Sequence, residues 1–154
     1  MSQNRLLLRV VCLPHAQDIE LPQYASDGSS GLDIRAAVPT DNSIILSPGE
    51  WAMVPTGLRL GFPDGYEGQI RTRSGIAMQH GIVVLNSPGT IDNDYRGELK
   101  VLLMNHGKSP FTISRGARIA QLVIAPYASV ELVKVNFIAP TKRQDNGFGS
   151  TGVE

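Results

Sequence analysis

The sequence predicts an all-β protein, and three observations carry that prediction. Sixteen glycines and ten prolines interrupt the chain every few residues. The runs between them are short and rich in valine, isoleucine and leucine, as β-strands are. Apolar residues recur nowhere with a helical period long enough for a long helix. Short strands with turn signals at this spacing are typical of a sandwich, a jelly roll or a barrel, and the pattern does not choose among these.

The individual elements follow from these runs. One short helix is predicted in SGIAMQHG, where Ser74 serves as the N-cap and Gly81 ends the helix. The predicted strands cover residues 5–13, 32–37, 43–46, 51–60, 66–71, 81–85, 98–104, 111–113, 118–125 and 130–137.

The pattern of the chain changes after Ala139. A chain of 154 residues suits a single core, so residues 1–139 are predicted to form one domain. The remaining PTKRQDNGFGSTGVE has Phe148 as its one large apolar residue and cannot offset its own ordering entropy. We therefore predict a mobile arm over residues 140–154. Its GFGSTG matches a phosphate-binding loop, yet the two residues after it are too few to form the helix that such a loop precedes.

Composition excludes several classes of partner. Fourteen basic and fourteen acidic side chains give a formal net charge of zero, which removes the general attraction of a basic domain to nucleic acid. Cys12 is the single cysteine and cannot form an internal disulfide. The first apolar run is interrupted by Arg9 and is too short to span a bilayer. We expect a soluble, cytoplasmic protein that binds neither nucleic acid nor a membrane.

Five polar clusters interrupt the strands. They are SSGLDIRA at residues 29–36, RSGIA at 73–77, GTIDNDYRGE at 89–98, RGARIAQL at 115–122 and RQDNGFGSTG at 143–152. Each cluster alone is typical of a solvated turn. In this order and with this spacing, the five together resemble the motifs of one family, the trimeric dUTP pyrophosphatases or dUTPases. The resemblance runs from about Ser26 to the last residues.

The resemblance implies a fold, an assembly and an activity. The fold is an all-β, jelly-roll-like or β-clip subunit with one short helix and a flexible C-terminal arm. The assembly is a homotrimer whose active sites are shared between subunits. The activity is hydrolysis of dUTP to dUMP and pyrophosphate with Mg²⁺, by attack of water on the α-phosphate, which keeps uracil out of DNA and supplies dUMP for thymidylate synthesis.

The same resemblance assigns roles around the phosphates. Asp92 matches the catalytic carboxylate that positions and deprotonates water, and a general base supplies about 10² to 10⁴ in rate. Arg73 and Ser74 match phosphate contacts, and Gly75 adds a backbone amide. Gln121 is expected to reach a phosphate or a metal-bound water. For Asp33, a role in ordering magnesium-bound water and a purely structural role both stay open.

The resemblance assigns base and sugar selection to a β-hairpin, which it predicts in VVLNSPGTID, and to the residues after it. Asn86 would bond the uracil edge, where a polar site rejects cytosine because donor would face donor. Lys100 would contact the nucleotide near this hairpin, either through its side chain or only through its backbone, and Thr90 and Ile91 are further expected contacts. Tyr95 resembles the residue whose ring lies under deoxyribose and excludes a 2′-hydroxyl, although a core aromatic on a strand is an alternative interpretation.

The resemblance also implies that the arm closes a neighbouring subunit's site. Phe148 would stack on uracil, and Arg143, Gly149 and Ser150 would surround the outer phosphates. This arm departs from the family, which often has glycine where Gln144 and Asn146 stand.

Two other functions compete with this interpretation. A dCTP deaminase of the same fold needs a glutamate in the strand after the third motif, where LKVLLMN has Leu102 at the matching position. A non-catalytic nucleotide-binding β-trimer is the second alternative.

Overall fold

The computed structural model describes residues 6–147, which form an antiparallel β structure with one short α-helix. The elements in chain order are β1 (Arg9–Cys12), a 3-10 turn (Pro14–Ala16), β2 (Gln23–Tyr24), β3 (Leu32–Arg35), β4 (Ile44–Leu46), β5 (Trp51–Gly61), β6 (Tyr66–Arg71), α1 (Ser74–His80), β7 (Ile82–Val84), β8 (Gly89–Ile91), β9 (Leu99–Asn105), β10 (Phe111–Ile113) and β11 (Arg118–Pro126). The predicted all-β class is thereby confirmed.

The strands form two large sheets and one small one. The five-stranded sheet has the order β2-β3-β11-β6-β8, the four-stranded sheet has the order β1-β5-β9-β7, and β10 pairs with β4. One cluster of buried side chains draws on both large sheets, with Ile34 and Leu122 from the first and Val54 and Leu103 from the second. The two sheets therefore share a single core, as in a sandwich or jelly roll.

Strand β9 shows how the sequence places its residues on two faces. Leu99, Val101 and Leu103 are buried, while Lys100 between them is exposed. This alternation follows from the two-residue period of a strand. The outward face of β9 borders the pocket described below.

A β-bulge interrupts the pairing of β5 with β9. The register shifts between Pro55 and Leu58, and Gly57 has a φ of 68°. Thr56, which is buried, donates its hydroxyl hydrogen to the Leu99 carbonyl at 2.6 Å. The bulge thus fixes the point where β9 begins.

Several predicted strands need correction. The predicted strand at residues 130–137 is wrong: within the described chain this segment pairs with no strand, and its apolar side chains are exposed, Leu132 at 93%. The first strand covers Arg9–Cys12 rather than residues 5–13. Strands β2 and β8 are not among the strands predicted from the residue pattern, because two or three residues carry too little alternation to detect.

The helix forms where it was expected, with one change at its start. Arg73 is the N-cap and Ser74 is the first helical residue, so the predicted serine cap is wrong. Gly81 ends the helix with a φ of 70°, and its N–H bonds to the Ala77 carbonyl. A side chain at Gly81 would be strained by this backbone conformation, so the prediction for this end is confirmed. None of the helices within residues 6–147 is long and apolar enough to cross a membrane.

Candidate active site

Arg73 lies in an ion-pair cluster at one end of the five-stranded sheet. Its Nε donates to Asp33 Oδ1 at 2.8 Å, and its Nη1 donates to the Arg118 carbonyl at 3.0 Å. Arg118 Nη1 bonds the other carboxylate oxygen of Asp33 at 3.0 Å. The Arg73 side chain is still 23% exposed. The cluster therefore holds one guanidinium in a fixed orientation with an excess of positive charge, which suits an anionic ligand.

Gln121 supports the same loop from strand β11. It lies opposite Asp33 on one side and Arg71 on the other. Its Nε2 donates to the Thr72 carbonyl at 2.9 Å, directly before Arg73. A Cβ on Gly31 would lie 2.4 Å from Gln121 Oε1, so any other residue at position 31 would displace the Gln121 side chain from this position. Three separate sequence clusters thus meet around the Arg73 turn, where Ser74 and Gly75 are exposed at the start of α1.

Arg115, which begins the RGARIAQL cluster, has a structural role. Its guanidinium bonds the Asp18 carboxylate and the carbonyls of Val38 and His15. The hydrogen bond from Arg115 lowers the pKa of Asp18 below its ordinary value. These contacts fasten the loop before β11 to the N-terminal segment.

A second group of predicted residues lines a pocket of about 360 Å³. Its wall comes from β5, β8 and β9 and the turns beside them. Five residues assigned above to base and sugar contacts lie in it, namely Asn86, Thr90, Ile91, Tyr95 and Lys100. A cavity of this volume is within the range of small-molecule sites.

The segment carrying Asn86 is a crossover between sheets and not a hairpin turn. Strand β7 pairs with β9, whereas β8 pairs with β6, so the predicted hairpin in VVLNSPGTID is wrong. The Asn86 side chain lies against Gly89, where a Cβ would be 3.1 Å from Asn86 Nδ2. Crossing between the sheets brings Asn86 to the same pocket as Lys100 of β9.

Tyr95 is not a core aromatic residue, so that alternative interpretation is wrong. Tyr95 is 45% exposed. It lies in a turn that is closed by a hydrogen bond from the Tyr95 N–H to the Asp92 carbonyl. Asn93 fastens this turn to the loop after β5, since its Nδ2 donates to the Pro63 carbonyl at 2.8 Å. The site therefore uses Asn93 as a support that sequence reasoning missed, although its place inside GTIDNDYRGE was a signal.

Asp92 and the Arg73 turn lie toward opposite ends of β6 within one chain. Ile91 pairs with Gly68, so Asp92 is level with Glu67, while the Arg73 turn follows Arg71 at the other end. At about 3.3 Å per residue, about 13 Å of strand separates the level of Asp92 from Arg71. One chain does not bring the predicted catalytic carboxylate to the predicted phosphate contact.

The C-terminal arm is described only in part. Arg143 is exposed, and its Nε donates to the Asn146 carbonyl at 2.8 Å. Gln144 has a φ of 49°, a left-handed conformation that glycine adopts without cost and other residues adopt rarely. Phe148, Gly149 and Ser150 lie outside the described residues.

The antiparallel β scaffold, the fixed arginine cluster that suits an anion and the separate pocket of about 360 Å³ together define an all-β protein with a small-molecule site. Comparison with known proteins makes this specific: the family model for dUTPase matches residues 17–152, and the chain belongs to the dUTPase family. It is 49% identical over 152 residues to the deoxyuridine 5'-triphosphate nucleotidohydrolase of Rhizobium rhizogenes, covering 99% of this chain and 97% of that protein.

Two further similarities agree with this membership. The deoxyuridine 5'-triphosphate nucleotidohydrolase of Neorickettsia sennetsu is 54% identical over 146 residues, covering 95% of this chain and 97% of that protein. Among solved structures, a dUTPase mutant of Staphylococcus bacteriophage 80alpha with dUpNHpp superposes with a TM-score of 0.84 at 27% identity, covering 96% of this chain and 99% of that chain.

Proposed function

We propose that this enzyme hydrolyses dUTP to dUMP and pyrophosphate by attack of water on the α-phosphate. The family match supports the reaction, as does the naming of two relatives at about half identity as deoxyuridine 5'-triphosphate nucleotidohydrolases. The observation that carries the proposal is the division of the site into a phosphate-facing arginine cluster and a pocket of nucleoside size. The cellular consequence is removal of dUTP as a precursor of DNA and supply of dUMP for thymidylate synthesis, which we place in the cytoplasm.

The arginine cluster is the phosphate side of the site. Asp33 holds the Arg73 guanidinium in place before substrate arrives, so little side-chain entropy is lost when a phosphate binds. Gln121 fixes the Thr72 carbonyl and with it the turn that presents Ser74 and Gly75. The positive charge of the cluster stabilises the charge that builds on the leaving pyrophosphate.

The pocket is the nucleoside side of the site. Asn86 offers an amide with both donor and acceptor atoms for the uracil edge. Tyr95 forms the wall under the deoxyribose, and its ring leaves no room for a 2′-hydroxyl. Thr90, Ile91 and Lys100 complete the wall around the nucleotide.

Asp92 acts as the general base that deprotonates the attacking water. We expect Asp92→Asn to lower kcat by about 10² to 10⁴ while leaving the dissociation constant of a dUTP analogue nearly unchanged, because the amide cannot take the proton. Pyrophosphate release and equilibrium binding measure the two quantities. Asp94→Asn in the same exposed turn is the matched control and should keep its turnover. Unchanged kcat in Asp92→Asn would reject the role of general base.

The substrate itself needs a separate test. Pyrophosphate release compared across dUTP, dTTP, dCTP and UTP with Mg²⁺ should show a strong preference for dUTP. Ammonia release from dCTP would instead indicate a deaminase. Leu102 argues against that reaction, since it lines the pocket wall with an apolar side chain where a deaminase places its glutamate. Binding of dUTP without pyrophosphate release would indicate the non-catalytic alternative.

A homotrimer with shared sites accounts for the separation of Asp92 from Arg73. If a second copy supplies the pocket and the Asp92 turn, both groups can face one substrate although one chain holds them at opposite ends of β6. The outer face of β5 supports this assembly, because Trp51 and Met53 are 59% and 55% exposed. Met53 also lines the pocket, so a copy covering this face would lie beside the nucleotide.

Mg²⁺ fits this donor set as a companion of the triphosphate. Among residues 6–147, no three histidine, cysteine, aspartate or glutamate side chains are grouped to hold a metal. Magnesium favours nucleotide phosphates and retains several waters, so it does not require such a group. Each Asp33 oxygen accepts one arginine bond and has a further lone pair for a metal-bound water. When bound, the ion would supply charge neutralisation at the phosphate oxygens.

The arm closes the site in this mechanism. Phe148 stacks on the uracil ring, while Arg143, Gly149 and Ser150 contact the outer phosphates. Stacking of an aromatic ring on a base contributes roughly 1–3 kcal/mol, which is comparable to the ordering cost of a few residues. Closure therefore depends on both the base and the triphosphate.

A further inference from the structure

The Tyr95 ring contacts the backbone of the residues that follow it, Gly97 and Glu98. Its hydroxyl donates to the Glu98 carbonyl at 3.0 Å. A Cβ on Gly97 would lie 2.3 Å from the Tyr95 hydroxyl oxygen and 2.5 Å from Cζ, so only glycine permits the ring to rest there. The position of this ring therefore depends on where the backbone of Gly97 and Glu98 is fixed.

Glu98 fixes that backbone through its side chain. Its Oε1 accepts the Gly57 N–H at 2.9 Å and lies 3.0 Å from His15 Nε2. Because a carboxylate only accepts, His15 carries its proton on Nε2 and donates to Glu98. The Glu98 side chain is 16% exposed, so these bonds are partly shielded from water.

The partner of Glu98 is itself rigid. Gly57 sits in the β-bulge of β5, and its carbonyl accepts the Leu13 N–H at 2.7 Å. A Cβ on Gly57 would lie 2.0 Å from Ala16 Cβ, so the bulge is in close contact with the segment that carries His15. Thr56 of the same bulge bonds the Leu99 carbonyl, next to Glu98. The bulge therefore fixes Glu98 twice, through the bond to its side chain from Gly57 and through the bond to the carbonyl of the next residue, Leu99, from Thr56.

We propose that Glu98 is a positioning residue for sugar selection: the bulge and His15 hold Glu98, and Glu98 holds the Tyr95 ring where it excludes a 2′-hydroxyl. The inference rests on the proposed function, in which Tyr95 lies under the deoxyribose. Exclusion of a single hydroxyl requires the wall to be fixed within about half an ångström, and a support of this kind provides that rigidity. Glu98 also borders the pocket, so the device lies beside the nucleotide.

The test measures kcat/KM for UTP and for dUTP in the full-length enzyme. Tyr95→Phe keeps the ring and removes its bond to Glu98, so the UTP/dUTP ratio should rise about three- to tenfold, the range for one hydrogen bond. Glu98→Ala should raise the ratio about tenfold or more, and Glu98→Gln, which can still accept the Gly57 N–H, should restore most of the selectivity. A gain of UTP hydrolysis separates positioning from a loss of stability, which would lower both rates.

Three further variants keep the outcome decisive. His15→Ala removes the outer bond alone and should raise the ratio modestly, even if Glu98→Ala fails to fold. Glu20→Ala removes the ion pair to Arg35 on an exposed surface and should leave the ratio unchanged. Tyr95→Ala should admit UTP by deleting the wall. Suppose that Tyr95→Ala admits UTP while Tyr95→Phe, His15→Ala and any folded Glu98→Ala keep the wild-type ratio. The positioning role of Glu98 is then refuted, and the sugar wall formed by Tyr95 still stands. If Tyr95→Ala still excludes UTP, the sugar wall of the proposed function fails as well.

Discussion

At the scale of single residues, Asp33 orients the Arg73 guanidinium that we propose as a phosphate contact. Both carboxylate oxygens accept bonds from arginines, and the Asp33 side chain is 18% exposed. Asp33→Asn keeps the shape but removes the negative charge, so Arg73 loses a charge-assisted bond. We expect kcat/KM for dUTP to fall by only about tenfold, because solvent partly screens the Asp33–Arg73 ion pair.

The magnesium dependence separates the two roles of Asp33. If the residue acts by orienting Arg73, the decrease persists when Mg²⁺ is saturating. Full recovery at high Mg²⁺ would contradict this and leave only the role in ordering metal-bound water. Asp41→Asn, in an exposed loop, is the control and should match the wild-type enzyme.

The sequence could indicate candidate residues for the site but not the contacts that support them. Asp33, Arg73 and Gln121 belong to recognisable clusters, and the structure brings all three together. Arg118 lies in the cluster of Gln121 and Glu98 lies in GTIDNDYRGE. Neither received a role, because their contacts join residues 85 and 41 positions apart in the chain. Such contacts depend on sheet register, which no local pattern specifies.

At the scale of elements, the junction between α1 and β7 depends on Gly81. Its φ is 70°, and a Cβ there would lie 2.5 Å from the Gly107 nitrogen. Gly116 has a similar φ of 77° with open space around it. We expect Gly116→Ala to lower the free energy of unfolding by about 1 kcal/mol from backbone strain alone, and Gly81→Ala to lower it by about 1–3 kcal/mol more because of the added clash.

Urea unfolding at equal protein concentration measures both losses, since an oligomer's apparent stability depends on concentration. Equal losses in the two variants would show that the backbone around Gly107 shifts freely to admit a methyl group. The helix end would then be less tightly fixed than the contact distances indicate.

The elements also show where pattern reading succeeds and where it stops. Strand β9 was predicted over residues 98–104 because this run is short and rich in leucine and valine, and the structure has the strand at Leu99–Asn105. Residues 130–137 carry a similar apolar pattern, yet within the described chain they find no partner strand. Composition makes a segment suitable for a sheet, but only a neighbouring strand edge makes it a strand. The proposed trimer would supply such an edge from a neighbouring copy.

At the scale of the whole molecule, one chain leaves a large apolar surface in water. Leu132, Val133, Phe137 and Ile138 are 93%, 73%, 74% and 84% exposed in a segment that follows the last strand. Monomeric proteins rarely expose such a contiguous apolar run, and burial contributes about 25 cal/mol per Å². Assembly into the proposed trimer would remove this surface from water, with the segment lying on a neighbouring copy.

Two truncations separate assembly from closure of the site. Removal of residues 144–154 leaves the apolar segment in place, so we expect the trimer to persist while kcat falls about 10- to 100-fold through loss of the arm's stacking contact. Removal of residues 130–154 deletes the segment as well, and we expect the trimer to dissociate. Nearly all turnover should then disappear, because no second copy brings Asp92 and Arg73 together. Light scattering coupled to size-exclusion chromatography gives the assembly, and pyrophosphate release gives the turnover. A fully active shorter truncation would refute closure by the arm, whereas an intact trimer after the longer one would show that the outer face of β5 holds the subunits together without the apolar segment.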